Sequence, residues 1–347
     1  MSKDKVTSQQ VAELAGVSQS AVSRVYTSGA SASKKTTAKV HKAATTLGYR
    51  PNILARAMVS GKSQIIGLVV AYLENQFYPD AIEKLSTQLQ EKGYHVLIFM
   101  ASKTAGNIDS VVDEILDYQV EGIIAASVTL SSQLADRCHS AGIPVVLFNR
   151  SQDGEGLSCV TSDNFSGGAK AARFLLAAGH KKIGYIAGSE GASTQRDREF
   201  GFTAALQQAG STLYAREEGD FSMEKASAAA RRMFSNDTPN TAFKERPDAV
   251  FVANDHMAFA VMDTLRFELG LRVPEDVSVI SYDDVPAAAW LAYNLTTVRQ
   301  RAGQMVQETV RILMEQIHSN GLQSQQIAIG SPIIVRGSAR IPEGWDS

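Results

Sequence analysis

Cysteine is scarce: Cys138 and Cys159 are the only two in 347 residues, and neither stands in a CxxC pattern. That is too few for a disulfide framework or a four-ligand zinc site, and it suits a protein working in a reducing cytoplasm. Long hydrophobic runs are also missing. The longest, such as Ile65–Tyr72, fall far short of the roughly 20 apolar residues that span a bilayer. The opening MSKDKVTSQQ is followed by no apolar stretch of the signal-peptide kind. Enzyme signatures are absent as well: there is no HExxH, no GxSxG and no GxGxxG after a strand, and the six histidines form no ligand cluster. GASASKKT (Gly29–Thr36) has the flavour of a phosphate loop but lacks the Gly-Lys-Ser/Thr ending and follows no strand. Asp283 and Asp284 are adjacent, so they cannot flank a glycosidic bond from two sides. The expectation is a cytoplasmic protein that is not an enzyme and carries no cofactor or metal.

What is present is 44% hydrophobic and 20% charged, with a formal net charge of −2. The length exceeds a typical domain of roughly 100–200 residues, so two or more domains are expected. The small net charge hides a partition: residues 1–62 hold ten Lys and Arg against two acids, a net +8, and the remainder sums to −10. Positive charge concentrated at one end points to a polyanionic partner, provided that the segment folds.

Periodicity says that it does. Ser8–Ala15 places Val11, Leu14 and Ala15 on one face, Ser18–Tyr26 places Val22 and Val25, and Lys34–Leu47 places Val40, Ala43, Ala44 and Leu47. Gly48 then stops the third helix. From Ser63 the texture changes to apolar runs at 65–70, 95–99, 122–126, 144–148, 182–187, 249–253 and 277–281. They alternate with amphipathic stretches at 79–92, 108–118, 166–178, 198–209, 222–234 and 255–269. Alternation of this kind calls for βαβ units and parallel sheets, here long enough for two doubly wound lobes. The expected organisation is a small all-α helix-turn-helix headpiece (1–50), a hinge (51–62) and an α/β core of two parallel-sheet lobes (63–347). Ligands of such folds sit outside the carboxyl ends of the strands.

Within 7–26, Ala12 and Gly16 are small where two helices cross closely, and Val11, Ala15, Val17, Val22 and Val25 supply the wedge between them. This is helix-turn-helix patterning, whose second helix enters the major groove. Ser18, Gln19, Ser20, Ser23, Arg24 and Thr27 face outward as candidate readers of base edges and phosphates, and Arg24 could reach a guanine bidentately. Thr7, Ser8, Ser31 and Thr36 complete the candidate DNA contacts of the headpiece. Asn52–Gly61 reads as a helix of about two turns, too short to be stable alone.

VAELAGVSQSAVSRV followed by LGYRPNILARAM resembles the headpiece and hinge of the LacI/GalR family of bacterial transcription regulators, and the likeness extends over essentially the whole chain. It implies a three-helix headpiece, a hinge helix and a core resembling periplasmic sugar-binding proteins, acting as a dimer on pseudo-palindromic operator DNA. In the hinge, where Asn52 can cap the helix and is counted with the DNA contacts, it implies that Ala55 and Arg56 face the groove and backbone, with Met58 standing where the family usually inserts Leu as an apolar wedge. Gln10 and Ala21 depart from the family's usual Asp and Thr.

For the core, residues at strand ends read as carbohydrate chemistry: amides, carboxylates and guanidinium groups for hydroxyls, aromatics for C–H faces. Asn75, Phe77 and Tyr78 follow the first strand, and Asn149 and Gln300 follow later ones. The resemblance adds Arg198, Phe221, Asn254 and Asp283 as effector-binding residues. Trp290 is a candidate for sugar stacking or for the interior between the lobes. Neutral Asn75 and Gln76 with Asp283 favour an uncharged polyol over a purine; Arg196, Arg198 and Lys103 leave a phosphorylated sugar open. The function expected is an operator-binding repressor, controlled by a sugar or sugar derivative bound between the lobes. The alternatives are a sugar-binding protein without a regulatory DNA role and a purine- or nucleoside-responsive regulator of the same fold.

Overall fold

The computed structural model describes residues 6–26, 31–50, 63–101, 108–128, 130–152, 157–235, 245–319 and 323–345. The chain divides into two compact units, Met1–Gln64 and Ile65–Ser347.

Among its described residues the first unit holds three helices, α1 (Ser8–Ala15), α2 (Gln19–Tyr26) and α3 (Lys34–Leu47). Thr7 caps α1 in a capping box: its hydroxyl accepts from the Gln10 N–H, and its own N–H donates to Gln10 Oε1 at 2.9 Å. Two orphan donors of the first turn are thereby satisfied. Gly16 ends α1 at φ +62°, a left-handed residue that turns the chain at once into α2. Ser33 caps α3 by accepting from the Thr36 N–H at 3.1 Å. The core is Val11, Ala12, Ala15, Val22, Val40, Ala43 and Ala44. Leu14 is 54% exposed, which corrects its assignment to the buried face. At about 100° per residue, Val11, Ala12 and Ala15 cluster on one side and Leu14 falls about 100° from their centre.

The described residues of the second unit form two six-stranded sheets. The first is built from β1 (Ile65–Val70), β2 (His95–Met100), β3 (Gly122–Ala126), β4 (Val145–Phe148), β5 (Ser158–Ser162) and β11 (Gln326–Ile329), ordered β11-β5-β4-β3-β1-β2 and parallel throughout. The second takes β6 (Ile183–Ala187), β7 (Ala215–Glu218), β8 (Ala249–Val252), β9 (Ser278–Asp283), β10 (Thr296–Arg299) and β12 (Ile333–Ile334), ordered β12-β10-β9-β8-β6-β7. Only β12 runs antiparallel to its neighbour. Helices α4 (Phe77–Glu91), α5 (Ile108–Asp117), α6 (Ser132–Ser140) and α11 (Ala302–His318) belong to the first lobe; α7 (Asn164–Ala177), α8 (Ser193–Gln208), α9 (Met223–Phe234) and α10 (Asp255–Asp263) belong to the second. Central strands such as β1, β3 and β8 are buried along their whole length, as parallel strands covered on both faces must be.

The chain passes between lobes after β5, after β10 and after β11. At these crossings the hydroxyl of Ser162 bonds the hydroxyls of Ser331 and Tyr282, and Lys170 Nζ donates to the Ser331 carbonyl at 2.7 Å. Helices α7 and α8 pack backbone to backbone. A Cβ added to Gly168 would lie 2.1 Å from the Arg198 carbonyl oxygen, and one on Gly201 would lie 2.0 Å from that of Phe165. Glycine is the only residue that permits this approach.

Candidate functional site

The carboxyl ends of both sheets converge on one cleft, lined by Tyr72, Asn75, Tyr78, Asn149 and Arg150 from the first lobe and by Thr194, Arg198, Phe221, Asn254 and Asp283 from the second. The space among them is about 190 Å³ including its open mouth. Side chains already meet across it. Asn75 Nδ2 donates to Asp283 Oδ2 at 2.9 Å, Arg150 Nη1 to Thr194 Oγ1 at 2.6 Å, and the Ser151 N–H to Ser193 Oγ at 2.9 Å. Another concavity, of about 240 Å³, lies in the first lobe beside Ala135, Ile143 and Leu157. Few polar groups converge there, so the interlobe cleft is the candidate site.

Arg198 is held from four sides. Its Nε donates to Asn164 Oδ1 at 2.9 Å, Nη1 to the Ala253 carbonyl at 2.5 Å, and Nη2 reaches Asp283 Oδ1 at 3.5 Å, while its guanidinium lies 3.8 Å from the centroid of the Tyr282 ring. Asp283 also accepts from Gln300 Nε2 at 2.6 Å. Burial pushes the Asp283 carboxyl above its ordinary value, and Arg198 pulls the other way. Behind it, fully buried Asp255 accepts from the Ser281 and Thr297 hydroxyls and from the Val285 N–H. Burial, then the charge of Asp283, push its carboxyl up to about 7. The Tyr72 phenol is likewise raised, by burial and by Tyr78.

Arg150 is 6% exposed. Its partners are the Asn149 carbonyl, Thr194 Oγ1 and Ser127 Oγ, with the Phe221 ring 5.8 Å away. No carboxylate lies within ion-pair distance of it among the described residues. The cleft also concentrates unusual backbone: Ser127, Asn149, Phe221 and Asp283 all have positive φ, between 53° and 121°. Non-glycine residues in such conformations cluster at ligand sites, where the surrounding fold holds them. Asn149 Oδ1 is buried with no hydrogen-bond partner.

Of the residues read from sequence, Asn75, Tyr78, Asn149, Arg198, Phe221, Asn254 and Asp283 come together in the cleft. Phe77 does not: it is buried in the first lobe, stacked on Phe148 at 6.1 Å, because adjacent helical residues point about 100° apart and only Tyr78 faces the cleft. Trp290 is 57% exposed and lies outside the lining, at the end of a single 3₁₀ turn (Pro286–Ala289). Gln300 stands behind Asp283 as its donor and does not line the space. Arg196 pairs with Asp197 at 3.0 Å and is exposed, and Lys103 lies outside the described residues. Asp284 turns away to Arg299 and Arg336. Sequence reading missed Arg150 and Thr194 and left the wall formed by Tyr72 unassigned. Position after β4, beside Asn149, was the available signal for Arg150.

In the first unit, Ser18, just ahead of α2, and Gln19, Ser20, Ser23 and Arg24 on it are exposed, while Val22 is buried. Gln19 Nε2 donates to Ser8 Oγ at 2.9 Å, tying the start of α2 to α1, and Arg24 Nε to the Ser20 carbonyl at 3.4 Å. Thr7 is exposed at the α1 cap and Ser31 is exposed ahead of α3. Thr36 is half-buried, with its hydroxyl on Ser33 Oγ at 2.9 Å. Thr27 and the hinge residues Asn52, Ala55, Arg56 and Met58 lie outside the described residues.

The family model for bacterial regulatory proteins of the lacI family matches residues 7–52, and that for a periplasmic binding protein-like domain matches residues 172–339. The chain is 28% identical over 340 residues to the HTH-type transcriptional repressor PurR of Photobacterium profundum, covering 96% of this chain and 98% of that protein. It is also 28% identical over 338 residues to the ribose operon repressor of Escherichia coli (strain K12), covering 96% and 99%. Among solved structures, that of the lac repressor dimer bound to operator and the anti-inducer ONPF is similar with a TM-score of 0.85 and 27% identity, over 96% of this chain and 99% of that one.

Proposed function

The chain belongs to the LacI family of bacterial regulatory proteins, and on that premise we propose that it is a dimeric repressor whose operator affinity is set by a sugar-like effector in the interlobe cleft. It is a DNA-binding transcription regulator with a small-molecule effector. In this reading residues 1–50 form the DNA-binding headpiece, 51–62 the hinge and 63–347 the effector-binding and dimerisation core. The relatives are transcriptional repressors, so the cleft binds and releases its ligand without chemistry. Among the described residues no helix is long and apolar enough to cross a membrane, and we assign the protein to the cytoplasm, where its DNA is.

The headpiece presents Ser18 and, on α2, Gln19, Ser20, Ser23 and Arg24 to the major groove, and its net +8 supplies phosphate attraction. In the core, Arg198 and Asp283 offer a guanidinium and a carboxylate to vicinal hydroxyls, and Phe221 offers a ring face to C–H groups. The observation that carries the reading is that the two lobes meet through the cleft residues themselves, Asn75 on Asp283 and Arg150 on Thr194. A ligand that enters must replace these contacts with its own. It thereby changes the free energy of closing the lobes, and a two-state element biased in this way couples one site to another.

The test is fluorescence anisotropy of the full chain against the DNA upstream of its own reading frame. Binding should weaken steeply with salt, because counterions are released from every phosphate neutralised. No binding at low salt would end the proposal. Arg198→Ala should retain DNA binding and lose the response to any metabolite that alters it in wild type.

A further inference from the structure

We propose that the effector carries a single carboxylate, and that Arg150 is the residue that receives it. The inference deepens the reading of the cleft as an effector site and rests on it. Its starting point is an imbalance of charge. Three charged side chains line the cleft, Arg150, Arg198 and Asp283, and only one carboxylate serves two guanidinium groups. Asp283 is taken up by Arg198, Gln300 and Asn75. Arg150 is 6% exposed and bonds only neutral oxygens, those of Ser127, Thr194 and the Asn149 backbone. The Asp283 carboxylate acts on it only through space, with no ion pair, and a guanidinium taken out of water without a paired carboxylate is costly, so natural proteins rarely bury one unless something completes it.

Asp255 does not provide that completion. It lies behind Asp283, saturated by Ser281, Thr297 and the Val285 N–H, and forms no ion pair with Arg150. The ligand can provide it. A carboxylate presents two oxygens in the plane of the guanidinium fork and displaces two weak hydroxyl acceptors with a charged one. The charge count favours a carboxylate over a phosphate monoester, whose charge of roughly −1.5 to −2 at neutral pH would exceed what one free cation balances. Beside Arg150, Asn149 Oδ1 is buried and unpartnered. It is an acceptor for a hydroxyl of the same ligand, and Phe221, at 5.8 Å from the Arg150 guanidinium, covers the carbon chain. The chemical class is therefore a small polyhydroxylated monocarboxylate, an aldonic or uronic acid, and not the neutral polyol that the sequence favours. Position after β4 marks Arg150 as a strand-end residue, but its inward turn, and with it the surplus charge, is visible only in the structure.

The experiment uses matched trios on the full-length protein: an aldose, its aldonate or uronate, and its 6-phosphate, for the glucose and galactose series, and an aldose with its aldonate for two pentoses. Thermal shift identifies binders and titration calorimetry measures them. The result expected is that the binders are carboxylates, and that Arg150→Gln weakens the best of them by at least about thirtyfold. Ligand-free Arg150→Gln should melt no lower than wild type, since it removes a buried charge that no carboxylate pairs directly, and that gain offsets the lost bonds to Thr194 and Ser127. A binder found only among neutral sugars or phosphates, no binder among the carboxylates, or an Arg150→Gln variant within threefold of wild-type affinity overturns the assignment. So does a clear fall in the melting temperature of ligand-free Arg150→Gln, which makes Arg150 a strut between lobes. A neutral sugar that binds and alters operator affinity would overturn the charge assignment and leave the reading of the cleft as an effector site standing. Loss of operator binding itself is a separate failure, read by anisotropy without ligand.

Discussion

Asp283→Ala removes the carboxylate on which three donors converge. Gln300 Nε2 at 2.6 Å and Asn75 Nδ2 at 2.9 Å lose their acceptor, and Arg198 loses its only ionic partner among the described residues while keeping Asn164 and the Ala253 carbonyl. Each buried donor left unpaired costs about 1–3 kcal/mol, and stripping one member from a buried ion pair costs about 3–5 kcal/mol where no other partner remains. Two effects lower the sum. Burial already opposes the charge on Asp283, so part of that cost is returned, and water can enter the emptied volume. The net is about 2–4 kcal/mol, or about 4–8 °C in melting temperature at about 2 °C per kcal/mol for a unit of this size. Scanning calorimetry of the full-length variant would read the shift, with operator anisotropy recorded alongside. A melting temperature within 1 °C of wild type, with the effector response intact, would refute the description of Asp283 as the hub of the second lobe's wall.

Gly201→Ala should destabilise the core by about 1–3 kcal/mol or more, since the new Cβ would lie 2.0 Å from the Phe165 carbonyl oxygen; Gly191→Ala, with nothing within 4 Å, is the control, and equal melting of the two would contradict the backbone contact of α7 with α8. Ser33→Ala should cost the headpiece about 1 kcal/mol by uncapping α3, seen as faster amide exchange in its first turn, whereas unchanged exchange would show that the cap does not matter. Asp255, raised to about 7 from an ordinary 3.8, gives stability that is full below the unfolded value and is lost as pH rises through the folded one. The melting temperature of wild type should therefore fall relative to Asp255→Asn between pH 4 and pH 8. Taking the difference cancels the opposite contribution of buried His180, whose lowered value comes from burial; parallel profiles would sink the assignment.

Most of the scaffold is legible in the sequence because hydrophobic burial writes it there. Strands such as 65–70 and 122–126 are uninterrupted apolar runs, and Gly16 and Gly48 mark helix ends where the structure has left-handed residues. Legibility fails where burial and polarity coincide. Helix α8 begins at Ser193, five residues before the amphipathic stretch, because its first turns bury the polar residues Ser193, Thr194, Gln195 and Arg198, of which Thr194 and Arg198 line the cleft. The edge strand β7, with the sequence AREE, is held by ion pairs of Arg216 with Glu199 and Glu190 and of Arg232 with Glu217, and apolar periodicity does not see it. Helix α11 and strands β5, β10 and β11 went unread for want of long apolar runs or clear boundaries. In the cleft, Asn149 and Asp283 are strand-end residues that topology places. Orientation decides the others: Arg150 turns in, Phe77 joins the core and Trp290 faces solvent, and no periodicity reports those turns.

Coupling between cleft and operator can be measured without knowing the ligand. The Ser151 N–H donates to Ser193 Oγ across the lobes at 2.9 Å, so a Ser151→Cys/Ser193→Cys pair brings two thiols to one crossing; where oxidation joins them the cleft is held shut, with buried Cys138 and Cys159 left in place. Operator affinity of this variant by fluorescence anisotropy, oxidised and then reduced, should differ at least about tenfold, a coupling of about 1.4 kcal/mol, while wild type shows no response to reductant. Equal affinities in the locked and released forms, with the crosslink verified, would contradict a regulator in which the interlobe cleft governs DNA binding.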